Sequence, residues 1–198
     1  MSVNKYSFLI ALFFCCNQPI QNKIPAPVDS LKPPVTKRVI NAGLVCTESE
    51  NKNADHPEDP DIISICTWRG FKFVKRGVAD FAGRYSYEYA VYQILGNNKE
   101  LEVTNSGVFN ELLPELEKEI NNNVIKRLKE LKSEDDESTK ECLLNIEPRI
   151  YTMDEMQIFF DQIGNIVFKV DLGLGSACFA VTEIEVNVPI EKIEKFIK

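Results

Sequence analysis

One apolar stripe on a long helical segment, with period-two segments on both sides of it, most restricts what this chain can fold into. Phe109, Leu112, Leu113, Leu116, Ile120, Val124, Leu128 and Leu131 fall on one face when residues 109–131 are wound as a helix. Glu111, Glu115 and Glu119 come early in that segment and Lys126, Arg127, Lys129 and Lys132 late, an order that the helix dipole favours. Pro114 belongs in a first turn or at a kink, which leaves the helix start open. Upstream, residues 85–92 alternate, placing Tyr85, Tyr87, Tyr89 and Val91 on one strand face. At strand spacing this stripe reads as core, with a sugar-stacking platform as the alternative. Residues 63–74, with Ile65, Trp68, Phe71 and Phe73, also read as strand, and Gly96-Asn97-Asn98 as a turn. Residues 47–61 read as a polar surface loop, and residues 133–141 as an acidic one.

Downstream, strands are expected near residues 143–151, 156–161, 164–170 and 178–188. In the last of these, Ile184, Val186 and Val188 alternate with Glu183, Glu185 and Asn187. Pro189 then opens a short helix whose apolar side is Ile190, Ile193, Phe196 and Ile197. The order of strands, a long helix, more strands and a short helix predicts an α+β fold: an antiparallel sheet with one long amphipathic helix and a short C-terminal helix packed on it.

Residues 1–16 differ in kind. Lys5 precedes the uncharged run Ser7-Phe8-Leu9-Ile10-Ala11-Leu12-Phe13-Phe14. That run is too short to span ~30 Å of hydrocarbon as a helix and suits the apolar core of a signal peptide. A buried N-terminal element is the other possibility, disfavoured by the polar, proline-rich stretch that follows. Cys15 and Cys16 close the run, and a cysteine there is similar to the bacterial lipoprotein signal, in which it becomes the acylated N-terminus. Cys15 and Cys16 are therefore lipidation candidates, with plain secretion as the alternative. Residues 17–40 hold Pro19, Pro25, Pro27, Pro33 and Pro34 and read as an extended tether, leaving 41–198 as a single α+β domain.

The other four cysteines are Cys46, Cys66, Cys142 and Cys178. An even number in an exported chain favours disulfides. Of three possible pairings, Cys46–Cys66 with Cys142–Cys178 joins segments that look adjacent; buried unpaired thiols are the alternative. No CxxC spacing points to zinc. The formal net charge of −7 becomes −8 once the leader and its Lys5 are removed, with 22 basic against 30 acidic residues. Such a surface repels phosphate backbones, so nucleic acid is not an expected partner.

Catalytic signals are thin. His56, the only histidine, lies in the acidic loop beside Pro57 and reads as solvated. GxSxG, HExxH and P-loop motifs are absent from the sequence. Glu88, Asp154 and Asp161 are candidates for a glycosidase-like acid pair, with surface carboxylates as the default. The loop acids Asp55, Glu58, Asp59 and Asp61 lack the spacing of a calcium loop. No catalytic, cofactor or metal residue is therefore assigned.

The run Gly164-Asn165-Ile166-Val167-Phe168-Lys169-Val170, then Ile184-Glu185-Val186-Asn187-Val188-Pro189 and residues 190–197, resembles a bacterial extracytoplasmic domain. That domain is catalogued as domain of unknown function 3298. It occurs in cell-envelope lipoproteins, beside some peptidoglycan deacetylases, and in the outer half of a lysozyme-sensing anti-sigma factor. The resemblance runs from Gly164 to the C-terminus and more loosely back to Tyr85. Leu172-Gly173 and Val181 depart from the family's pattern. The resemblance and the leader together imply an exported, lipid-anchored envelope protein, periplasmic or at the cell surface, with a non-enzymatic ligand- or protein-binding domain. Its partner would be a cationic protein such as lysozyme or a cell-wall component, with membrane contact through the lipid anchor only and no cofactor. The alternatives are a carboxylate-dependent carbohydrate- or peptidoglycan-active enzyme, and an accessory module with no exposed concave or aromatic patch.

Overall fold

A computed structural model describes residues 35–39, 43–51, 60–79, 85–134, 136–175, 178 and 181–198. The expected leader with Cys15 and Cys16, most of the proline-rich stretch, and His56, Asp55, Glu58 and Asp59 lie outside the described residues. What is described is α+β, with two antiparallel sheets where the sequence suggests one. The first is a six-stranded meander in chain order: β1 (Thr36–Val39), β2 (Val45–Asn51), β3 (Asp61–Trp68), β4 (Phe71–Ala79), β5 (Tyr85–Ile94) and β6 (Glu100–Val103). Two helices follow, α1 (Leu113–Ser133) and α2 (Glu137–Leu143). The second sheet is β7 (Gln157–Phe160), β8 (Ile166–Asp171) and β9 (Glu183–Val188), and α3 (Ile190–Ile193) follows Pro189.

Several boundaries differ from the sequence expectation, each for a local reason. β1 lies inside the stretch read as tether, because Thr36–Val39 pairs with β2. β2 likewise occupies the start of the segment read as a loop. The single strand expected over residues 63–74 is a hairpin: Arg69 and Gly70 take φ of 48° and 79°, and Trp68 pairs with Phe71 across a two-residue turn. Two positive-φ residues match the twist of paired strands. The acidic stretch after α1 contains α2, whose N-cap Asp136 accepts from the Thr139 backbone N–H at 3.0 Å and from the Thr139 and Ser138 hydroxyls. Residues 144–152 form no strand; residues 146–152 run as irregular chain, and β9 begins only at Glu183.

That irregular stretch is held by a residue outside the apolar pattern. Asn121, 2% exposed on the buried side of α1, accepts from the Tyr151 N–H at 2.8 Å and donates to the Tyr151 carbonyl at 2.9 Å. The amide thus replaces the ladder partner this backbone lacks. Around it, Leu116, Ile120, Val124 and Leu128 of α1 join the core with Ile166, Phe168 and Val170 of β8. Pro114 sits in the first turn of α1, where its missing N–H costs nothing. Phe160 of β7 meets Trp68 and Phe73 edge-on, with ring centroids 6.0 and 5.0 Å away, and so joins the two sheets. Both expected disulfides are formed: Cys46 and Cys66 are direct partners across β2 and β3, and Cys142 of α2 reaches Cys178. No helix among the described residues is long and apolar enough to cross a membrane.

Candidate functional site

Strand lengths create the site. β4 and β5 run for 9 and 10 residues, whereas β7, which lies against them, has only 4. Where β7 covers the sheet, the inward side chains Trp68, Phe71, Phe73 and Val91 are buried. Further along the same face the cross-strand row becomes Glu48, Ser64, Lys75 and Tyr89, and the next Glu50, Ile62, Gly77 and Tyr87. Here the face opens into a cleft of about 300 Å³ with the Cys46–Cys66 bridge in its wall. Arg38 and Glu48 line one side, Lys75 and Tyr87 another, and Phe159, Asp161 and Gln162 close the end at β7.

Four rings form a row across this opening. Tyr85 stacks on Tyr87 (centroids 6.2 Å, 26°), Tyr87 lies 6.4 Å from Tyr89, and Tyr89 lies 5.2 Å from Phe159. The row depends on Gly77. A Cβ there would stand 2.9 Å from Tyr87 Cε1 and 3.1 Å from Tyr85 Cδ1, so both rings lean into the space that glycine leaves. The Tyr85 hydroxyl donates to the Pro60 carbonyl at 3.0 Å, fixing one end. Tyr87, by contrast, is 41% exposed. The alternation expected for this strand is correct, but the stripe is core only at Val91; Tyr85 and Tyr89 are half-buried, and Tyr87 faces solvent.

Two lysines flank the rings. The Lys75 ammonium lies 4.4 Å from the Tyr87 centroid and 4.3 Å from that of Phe159. Burial, and then the nearby Lys169 cation, hold Lys75 below the ordinary lysine value, with Glu185, Glu183 and Glu48 pulling the other way. Lys169 is itself buried and donates to Glu183 Oε1 at 2.8 Å. Burial alone would lower it, but hydrogen bonds with Glu183 and Tyr89 outweigh that and leave it raised. Burial raises Tyr89.

Glu88, Asp154 and Asp161, the carboxylates singled out from the sequence as an acid pair, each have a different partner. Glu88 lies on the opposite sheet face from Tyr87, its side chain 70% exposed and 3.8 Å from Arg76. Asp154 accepts from the Ser106 N–H and hydroxyl at 2.7 and 2.9 Å. Asp161 accepts from the N–H groups of Ile163 and Asn165 and from the Asn165 amide, which shapes the turn between β7 and β8. Asp61 pairs with Arg76 at 3.2 Å. Among the described residues no group of three or more His, Cys, Asp or Glu is placed to hold a metal. Lys75 and Gly77 escaped sequence reasoning, although the signal was there: they follow Phe71 and Phe73 on the core-facing alternation, where a lysine and a glycine interrupt an apolar face.

No family model matches this chain, no curated protein matches it, and no solved structure matches it. The described residues form a two-sheet α+β domain, stapled by two disulfides, with one half of a sheet face left open. The bridges point to an extracytoplasmic protein.

Proposed function

We propose that this chain is an exported, lipid-anchored cell-envelope protein whose domain binds a ligand in the open half of the six-stranded sheet without transforming it. One observation carries this reading: a partly exposed aromatic row and an inward lysine are fixed on a concave surface where a longer second sheet would have made core. The envelope setting rests on the resemblance of residues 164–197 to domain of unknown function 3298, read from the sequence alone. A leader ending at Cys15 and Cys16 supplies export and anchoring. The partner that suits a narrow cleft is a cell-wall component.

The enzymatic reading has less support. Glu88 lies on the other sheet face, Asp154 is tied to Ser106, and Asp161 is engaged in building the β7–β8 turn. Incubating the purified protein with bacterial cell-wall sacculi separates the two readings. Co-sedimentation with no release of soluble sugar or acetate is the expected result, and catalytic release of fragments would overturn it. The net charge of −8 after removal of the leader favours a second occupant, a cationic protein, for which retention of lysozyme at low salt is the test.

A further inference from the structure

The geometry points to a pyranose saccharide as the occupant of the cleft, packed against the exposed part of the Tyr87 ring; this rests on the binding reading above and gives it a ligand class. A pyranose presents an apolar C–H face and a rim of hydroxyls that both donate and accept. A site for it needs an exposed aromatic face beside planar polar groups held in position. Tyr87 supplies the exposed ring surface that Tyr85 and the Lys75 ammonium leave uncovered. It is 41% exposed, yet its ring is seated over Gly77 with Tyr85 and Tyr89 on either side, so a ligand would have little ring motion to arrest.

The polar groups are fixed as well. Arg38 and Glu48 are joined at 2.6 Å, presenting a planar donor fork beside a planar acceptor, a pair suited to neighbouring hydroxyls. Asp161 is oriented by three hydrogen bonds from the β7–β8 turn, and the Lys75 ammonium is steadied against two rings. Charge distinguishes this ligand from an anion: the carboxylates of Glu48, Asp161 and Glu185 outnumber the cations of Arg38 and Lys75 in the lining. A phosphate or sulfate would meet repulsion there, whereas a neutral sugar needs only donors and acceptors. A volume of about 300 Å³ stands at the small end of ligand sites, fitting one or two sugar rings rather than a folded peptide.

The test is calorimetric titration of the exported chain, both bridges intact, with chitotetraose, cellotetraose, maltotetraose and mannotetraose. At least one binds, Tyr87→Ala weakens it about tenfold or more, and Tyr87→Phe keeps it within about threefold, since the ring face remains. Gly77→Ala is a second variant: its new methyl displaces the Tyr87 ring and weakens binding while Tyr87 itself is intact. Sacculi retained with none of the four sugars bound would overturn the saccharide and leave the binding function standing. Binding unchanged in both Tyr87→Ala and Gly77→Ala, or displacement of the sugar by millimolar inorganic phosphate, would also overturn it. If sacculi are not retained and no sugar binds, the inference and the function fall together.

Discussion

Two halves of one sheet face behave differently although the same strands build them. In the covered half, Trp68, Phe71, Phe73 and Val91 are 3% exposed or less, and Phe160 meets Trp68 and Phe73 edge-on. In the open half, a few residues along β4 and β5, the face carries Lys75, Gly77 and Tyr87, with Tyr87 41% exposed. Alternation fixes which side a residue faces, but the reach of the partner sheet decides whether that side is core. Four residues of β7 cannot cover ten of β5.

The comparison breaks most readily at Phe73. Phe73→Ala removes a ring from the covered half and should cost about 3–5 kcal/mol, whereas Tyr87→Ala in the open half should cost under about 1 kcal/mol. Urea unfolding of both variants checks this, and equal losses would erase the distinction. Next come the bridges. Replacing both members of a pair by serine should cost about 3 kcal/mol for Cys46–Cys66 and about 4 kcal/mol for Cys142–Cys178, from loops of 20 and 36 residues. Only the first bridge lines the cleft, so sacculus retention should fall in Cys46→Ser/Cys66→Ser and persist in Cys142→Ser/Cys178→Ser at temperatures where both are folded.

Asn121→Ala leaves the buried Tyr151 N–H without its acceptor and should cost about 2 kcal/mol, with ligand binding unaffected because no residue of α1 lines the cleft. The smallest effect is at alkaline pH, at the boundary between the halves. The folded state keeps protons on Tyr89 and Lys169 beyond their ordinary values of 10.0 and 10.5. Their stabilisation is complete below about pH 10 and is lost as pH rises through the raised folded values. Lys75 is lowered and acts oppositely, its penalty easing as pH climbs toward 10.5. Lys75→Met should therefore make the fall in melting temperature above pH 9 steeper than in the parent chain. A shallower fall would contradict these signs.

Elements with a long period were legible in the sequence. The α1 stripe, the alternation of β5 and β9, and Pro189 before α3 all came from patterns that packing enforces. The short features were not. The β3–β4 turn has an arginine where a stronger turn former would announce it, α2 is disguised by charges around Asp136, and the irregular chain at Tyr151 depends on one buried amide from a distant helix. The cleft was half legible: the tyrosine stripe was visible, but its exposure depends on how far β7 extends, a tertiary quantity that no local pattern records.

Measuring Tyr87→Ala by urea unfolding and sacculus co-sedimentation together tests the central claim most directly. A division of labour along one sheet face predicts an unfolding free energy within about 1 kcal/mol of the parent and a large loss of retention. A destabilisation as large as that of Phe73→Ala, with retention unchanged, would show that Tyr87 belongs to the core and that the ligand binds elsewhere.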